Sequence, residues 1–248
     1  MLSPTSVTQN SILNVIPEVD YPRLFENLEI VDLQFKQVLY DVNKAIDYVY
    51  FPLQSVISLM SVAQNQSTTE VALLGREGVL GVPVFLGSHH TDSQAVVLIA
   101  GTAARIERRI FQAEAQRPGI LRERLLAFTR THFKHLSQNV ACKSNHLIQH
   151  QLARWLLSVY DRVDGREIPL TQPYIAKLFG VRRASITDAA IKLQAAGFIS
   201  YRRGLILILD PVGLESAACS CYQIVKSMFA DPHHPSATSH PTVPLLTA

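Results

Sequence analysis

Residues 170–199 read LTQPYIAKLFGVRRASITDAAIKLQAAGFI, and this segment carries the most informative pattern in the sequence. Thr171 can cap a helix whose first turn tolerates Pro173, and Gly180 permits a sharp turn where that helix ends. The next helix has inward positions at three- and four-residue spacing, namely Ile186, Ala190, Leu193 and Gly197. Small residues on both helices let them cross closely. The pattern therefore predicts a helix-turn-helix.

The outward face of the second helix carries polar groups suited to DNA. Its N-terminal end, which enters the major groove in this motif, begins at Arg182 and Arg183. Arginine can bind guanine O6 and N7 with two hydrogen bonds, and Asp188 could accept one from cytosine. A following hairpin has Arg202 and Arg203 at its tip, where a wing would contact phosphates. The predicted DNA contacts are Thr171, Gln172, Arg182, Arg183, Ser185, Thr187, Asp188, Lys192, Arg202 and Arg203.

The charge distribution agrees with this assignment. Residues 1–117 carry 8 basic and 12 acidic side chains, whereas residues 144–230 carry 10 basic and 6 acidic ones. An acidic front half and a basic back half favour a polyanionic partner for the back half.

Composition places the chain among globular proteins. Apolar residues make up 48% and charged residues 17% of the 248 positions. The longest apolar stretch is far shorter than the roughly 20 residues that span a bilayer, and the N-terminus lacks the pattern of a signal peptide. Three cysteines are too few, and odd in number, for a disulfide framework. We expect a cytoplasmic protein with no membrane partner.

The front half is predicted to be β-structure. Short runs rich in β-branched and aromatic residues, separated by turn-forming residues, predict a sandwich or barrel. These runs are 38–40, 48–51, 56–60, 71–74, 82–86, 95–100 and 103–106.

After Pro118 the apolar spacing becomes that of a long helix. Two apolar lines indicate two partners for this helix, its own domain and a second copy of the chain. The line assigned to the dimer interface is Leu121, Leu125, Phe128, His132 and His135. The second line is Leu126, Phe133, Leu136 and Val140. A final helix is predicted over residues 211–229.

Four segments carry a resemblance to a known family: GREGVLGVP (75–83), QLARWLL (151–157), GVRRAS (180–185) and AACSCY (217–222). On these motifs the chain resembles transcription regulators of the Crp/Fnr family over roughly residues 10–228. The resemblance implies an α+β fold with an N-terminal double-stranded β-helix sensor, a long dimerisation helix and a C-terminal winged helix-turn-helix. It also implies a homodimer on a near-palindromic double-stranded DNA operator, with Arg183 in a base-reading position. An activator of this family would also contact RNA polymerase.

The resemblance divides the chain into four parts. These are a β-barrel sensor domain of the cyclic-nucleotide-binding type (1–117), a dimerisation helix (118–143), a DNA-binding domain (144–230) and a disordered tail (231–248), which is rich in Pro, Ser and Thr.

The chain departs from the family pattern in two places. Ala184 and Asp188 replace the family's usual glutamate and second arginine, so the operator should differ from the common one. In the sensor, Val79 stands where the family has a ribose-binding glutamate, and residues 92–95 (DSQA), which correspond to the family's phosphate-binding segment, include no basic residue. We predict that cyclic AMP is not bound in the usual way, and that an unknown small-molecule effector would use Gly78, Val79, Gly81, Ser93, Gln94 and Ala95.

The remaining motifs are weak. Cys219 and Cys221 lie two apart on the predicted last helix, on roughly opposite sides, so packing is favoured over metal or redox chemistry. His146 and His150 have metal-ligand spacing but no obvious third ligand. The four cysteines that an iron–sulfur sensor needs are lacking. We predict no cofactor and no metal.

Two other functions remain open. A ligand-binding module could regulate a partner protein and use the winged helix as a docking surface, although the basic residues of the motif argue against it. An enzyme could use the barrel pocket, but we find no base–nucleophile pair or metal set and predict no catalytic residues.

Overall fold

The front of the chain folds into two antiparallel sheets that share one core. The computed structural model describes residues 7–64 and 67–230. The strands are β1 (Glu29–Leu33), β2 (Val38–Tyr40), β3 (Tyr48–Pro52), β4 (Val56–Val62), β5 (Thr68–Leu74), β6 (Ser93–Ile99) and β7 (Gly101–Glu107). Sheet one has the order β1–β7–β3 and sheet two the order β2–β6–β4–β5. The helices of this part are α1 (Tyr21–Phe25), α2 (Val82–Phe85) and α3 (Arg108–Gln116), after two 3-10 turns, Leu13–Val15 and Glu18–Asp20.

Strands β4, β5 and β6 of sheet two are buried on both faces over much of their length. Ile57 and Val97 point into the core between the sheets, whereas Val56, Leu73 and Leu98 belong to a second core on the outer face. A strand covered on both faces needs a nearly continuous apolar run rather than alternation. The outer face is covered by the C-terminal part of the chain.

One predicted strand is wrong. Residues 82–86 were expected to be extended, but Val82–Phe85 form the short helix α2. Pro83 has no N–H to donate to a β ladder and fits the first turn of a helix. Strand β1 and helix α3 lacked a sequence prediction.

The long helix is confirmed as α4 (Ile120–Asn145). Leu125 and Phe128 pack into the core between the sheets, and His135 is also buried. The line assigned to the dimer interface therefore faces its own chain over much of its length, and Leu121 and His132 are half-buried beside it. Burial, followed by repulsion from Arg162, lowers the pKa of His135 to about 2, so this ring is neutral at pH 7.

Three of the four residues in the second apolar line of α4 point outward, whereas Leu136 is half-buried. Leu126, Phe133 and Val140 are 50%, 59% and 66% exposed. They lie seven residues apart, so they share one face of the helix. Three residues of the first line, Leu125, Phe128 and His135, are thus buried in their own chain, whereas these three residues of the second line are exposed.

The C-terminal part is a winged helix. Its helices are α5 (Ile148–Tyr160), α6 (Gln172–Phe179), α7 (Arg183–Ala195), α8 (Pro211–Ala217) and α9 (Cys221–Ala230). Its strands β8 (Glu167–Ile168), β9 (Ile199–Arg202) and β10 (Leu205–Ile208) form an antiparallel sheet of order β8–β10–β9. The helix predicted over 211–229 is two helices, because the backbone becomes extended at Ala218. The predicted disordered tail, 231–248, lies outside the described residues.

The fold class predicted from the sequence is confirmed. A sheet domain, a long helix and a C-terminal helix-turn-helix follow one another along the chain. No helix in the described ranges combines the length and the apolar character needed to cross a membrane. The four domain boundaries remain a proposal, and helix α4 extends two residues beyond the predicted end at 143.

Candidate nucleic-acid interface

The turn between α6 and α7 has the geometry that its glycine predicts. Gly180 caps α6 with φ of +68°, a left-handed conformation that favours glycine. Ile186 and Leu193 of α7 are buried against the rest of the winged helix. Gly197 was expected to face inward, but it is exposed with φ of +78°. Its role is to end α7 and turn the chain toward β9.

Helix α7 presents the predicted groove-reading face to solvent. Arg182 is its N-cap and Arg183 its first residue. Both arginines, together with Asp188 and Lys192, are exposed, and Ser185 is half-buried. The arrangement places two cationic side chains and several hydrogen-bonding groups at the N-terminal end of an exposed helix, where its dipole also attracts phosphate.

Two residues that are predicted to contact DNA, Gln172 and Thr187, also form hydrogen bonds within the domain. The Thr187 hydroxyl donates to the Gln172 side-chain oxygen at 2.8 Å, which joins α7 to the start of α6. The Gln172 backbone N–H donates to the Tyr201 hydroxyl at 2.7 Å. Thr171 occupies the N-cap position of α6 and is exposed, but its side chain makes no capping hydrogen bond. These residues position the two helices relative to the wing.

The wing is a two-residue hairpin between β9 and β10. Arg202 pairs with Leu205 across the strands, and Arg203 and Gly204 have φ of +51° and +83°. Positive φ at both central residues defines a type I′ turn. Arg202 and Arg203 are exposed at its tip.

The cations of this surface are available to an external anion. Across the ranges 7–64 and 67–230, no ion pair involves Arg182, Arg183, Lys192, Arg202 or Arg203. Phosphates are the partners that such an exposed basic surface attracts.

Comparisons with known proteins agree with this geometry. Residues 150–217, from α5 to α8, match the Crp-like helix-turn-helix domain. The fold resembles FixK2 from Bradyrhizobium japonicum (TM-score 0.66, 14% identity, covering 78% of this chain and 98% of the other). It also resembles a Crp/Fnr-family protein from Eubacterium rectale (0.67, 15%, 85% and 98%) and a CRP-family regulator from Thermus thermophilus (0.63, 14%, 76% and 96%). No curated protein matches significantly.

The class of protein follows from the motif and the fold together. The chain is a DNA-binding protein of the winged helix-turn-helix class. Its architecture is that of the Crp/Fnr transcription regulators, and the predicted resemblance to that family is confirmed.

A cleft of about 670 Å³ lies between sheet two, the segment from α2 to β6, and α4. Its charged lining residues are Glu70, Asp92 and Lys143. Of the predicted effector residues only Ser93 lines it. The others lie elsewhere: Val79 and Ala95 are buried, Gly78 abuts Phe128, Gly81 abuts Val49, and the Gln94 side chain binds Asp41. Val79 and Ala95 thus belong to the core between the two sheets rather than to the lining of the cleft.

A buried carboxylate, which the sequence analysis missed, joins the cleft to the DNA-binding domain. Glu70 accepts hydrogen bonds from the Ser58 hydroxyl at 2.6 Å and from the Trp155 indole of α5 at 2.5 Å. Lys143 of α4 donates to its backbone carbonyl at 2.6 Å. Burial raises the pKa of Glu70 despite these contacts. The only sequence signal is a single acidic residue within the run TTEVALL.

The GREG segment of the family motif also binds the DNA-binding domain. Glu77 pairs with Arg162 at 2.8 Å, and both side chains are largely buried. Arg76 pairs with Asp164 at 3.0 Å on the surface. The motif therefore works as an interdomain contact in this chain.

Proposed function

We propose that the protein is a homodimeric transcription regulator that binds a near-palindromic DNA operator. The observation that carries the proposal is the exposed N-terminal end of α7 beside the basic wing, within a Crp-like domain. Arg183 reads base edges, with Arg182, Ser185, Asp188 and Lys192 around it, and Arg202 and Arg203 bind phosphates. An operator of two half-sites, about 34 Å apart, would receive two copies of α7.

The dimer uses the exposed line Leu126, Phe133 and Val140 of α4. Large apolar side chains at seven-residue spacing are typical of helices that pair with a copy of themselves. Their exposure leaves them available to a second chain, and a homodimer is what the family resemblance implies. This assignment replaces the line Leu121, Leu125, Phe128, His132 and His135.

The effector controls how the DNA-binding domain packs on the sensor. Glu70 lines the cleft and also holds Trp155 of α5, so a ligand in the cleft acts on an interdomain hydrogen bond. A ligand shifts such an equilibrium only if it prefers one packing over the other. We place the protein in the cytoplasm, where the DNA is, and assign it no enzymatic activity. RNA polymerase is a further partner if the protein activates transcription.

Arg183→Ala is expected to lower the discrimination between the operator and unrelated DNA by about 1–3 kcal/mol, since a bidentate base contact is lost. Arg202→Ala is the matched control, because it removes one exposed arginine from the wing. It should weaken binding to all sequences alike and flatten the salt dependence. Fluorescence anisotropy on selected genomic fragments, at several salt concentrations, measures both effects.

Equal operator affinity of Arg183→Ala and wild type would refute the base-reading role. If the wild type retards no genomic DNA at low salt, the alternative of a module that docks on a partner protein is favoured.

Cyclic AMP is expected not to bind the cleft. A cyclic phosphate there would meet the carboxylates of Glu70 and Asp92, and the Lys143 ammonium is already bound to the Glu70 carbonyl. One lysine that already donates to a protein carbonyl stands against two acidic side chains, so the charged lining as a whole disfavours an anion. Calorimetric titration should show no heat of binding, and micromolar affinity would contradict this prediction.

A further inference from the structure

Four potential metal ligands meet where the long helix ends. They are Cys142, His146, Cys219 and Cys221, and their ligand atoms all lie within 4.8 Å of one another. The sulfurs of Cys142 and Cys219 are 3.4 Å apart, and Cys221 Sγ lies 3.6 Å from His146 Nδ1. All three cysteines are buried. None of these four residues belongs to the predicted DNA contacts, and the cluster has no part in the function proposed above.

The break between α8 and α9 creates the cluster. On one continuous helix Cys219 and Cys221 would point to opposite sides, but the chain is extended at Ala218 and α9 restarts at Cys221. Both sulfurs therefore turn toward α4. There Cys142 and His146 lie one turn apart, and the His146 N–H still donates to the Cys142 carbonyl at 3.1 Å. Two pairs that are 73 or more residues apart in sequence thus converge.

We propose that Cys142, His146, Cys219 and Cys221 form a structural zinc site that fastens α8 and α9 to the end of the dimerisation helix. Zinc is bound tetrahedrally by thiolates at about 2.3 Å and imidazole nitrogen at about 2.0 Å, so the ligand atoms lie about 3.5–3.8 Å apart. The Cys221–His146 distance of 3.6 Å matches a sulfur–nitrogen edge, and the two sulfurs at 3.4 Å would move apart by about 0.4 Å to reach a sulfur–sulfur edge. Three cysteines and one histidine form one of the usual structural sets for zinc. Binding displaces the thiol protons to solvent.

The surroundings provide the second layer that such sites need. The Gln138 side-chain N–H donates to Cys221 Sγ at 3.0 Å, and Gln151 donates to the His146 carbonyl at 2.7 Å. The buried guanidinium of Arg154 interacts electrostatically with Cys142 and Cys219. Its Nε has no hydrogen-bond partner among the described residues. A buried cation offsets the single negative charge of a zinc site with three thiolates.

The test uses the full chain, without a histidine tag, purified without chelator. Mass spectrometry of the metal content should find about one zinc ion per chain. Cys219→Ser and Cys221→Ser should lose it. Ser220→Ala is the matched control, because Ser220 is exposed between the two cysteines, and it should keep the full zinc content.

Cobalt(II) provides a readout that does not depend on the variants folding. Wild-type protein stripped of metal and titrated with cobalt should show the intense visible bands of tetrahedral cobalt–thiolate coordination. Removing zinc with a chelator should expose the three thiols to a thiol reagent and lower the melting temperature.

The proposal is overturned if the protein contains no zinc and cobalt gives only an octahedral spectrum. It is also overturned if the native chain is lighter by the mass of two hydrogen atoms and peptide mapping finds a Cys142–Cys219 disulfide, since the cluster would then be a redox pair. Neither result would affect DNA binding through α7.

Discussion

Phe133→Glu is expected to make the protein monomeric and to lower its operator affinity by about 10²–10⁴-fold. Phe133 is the central residue of the exposed apolar line of α4, with Leu126 and Val140 one heptad away on either side. In a symmetric pair of helices the two glutamates would meet in an apolar seam, where an unpaired charge is strongly disfavoured. A monomer binds one half-site and loses the gain in effective concentration that links the two.

Sedimentation analysis gives the oligomeric state, and anisotropy with an intact operator and a single half-site gives the affinities. Lys134→Glu is the matched control, because it introduces the same side chain at the next exposed position, off the apolar line. The control should remain dimeric. A Phe133→Glu dimer would show that the exposed line is not the interface.

Arg162→Ala is expected to lower the free energy of unfolding by about 3–5 kcal/mol, because it leaves the Glu77 carboxylate buried without its partner. The Arg162 side chain is 7% exposed, its Nε lies 2.8 Å from Glu77, and its Nη1 donates to the Ser158 carbonyl at 2.7 Å. Its guanidinium also lies over the Phe229 ring. One substitution therefore weakens the contacts between the sensor, α5 and α9.

Urea denaturation measures this loss. Arg76→Ala is the control, because the neighbouring Arg76–Asp164 pair is exposed and should contribute about 0–1 kcal/mol. Adding Glu77→Gln to Arg162→Ala should recover part of the lost stability, since the unpaired charge is then removed. Equal destabilisation by Arg162→Ala and Arg76→Ala would show that breaking the buried Glu77–Arg162 pair costs no more stability than breaking the exposed Arg76–Asp164 pair.

Local patterns were sufficient wherever a single element decides the outcome. The helix-turn-helix follows from one glycine, the spacing of Ile186 and Leu193, and two arginines at a helix start. The short β runs identify most strands for the same reason. The strand predicted over residues 82–86 is wrong because Pro83, which favours the first turn of a helix, outweighs the β-branched residues around it. The single helix predicted over residues 211–229 is wrong because the helical spacing of its apolar residues does not reveal the extended backbone at Ala218.

The faces of α4 illustrate what local patterns leave undecided. Both apolar lines have helical spacing, so periodicity alone could not say which one serves the core. Packing decides which line faces the core. The Phe128 ring lies so close to Gly78 that any side chain at position 78 would clash with it, and this fit holds the face of α4 that carries Phe128 against the core. The same close approach explains why Gly78 is not an effector contact.

The β domain, the long helix and the helix-turn-helix could be predicted from the amino-acid sequence, because each depends on residues close together in the chain. Three features could be found only in the folded chain: the face of α4 that is exposed, the link through Glu70 between the cleft and Trp155, and the meeting of three cysteines with a histidine. Those features depend on contacts between residues that are tens of positions apart, and no local spacing encodes such distances.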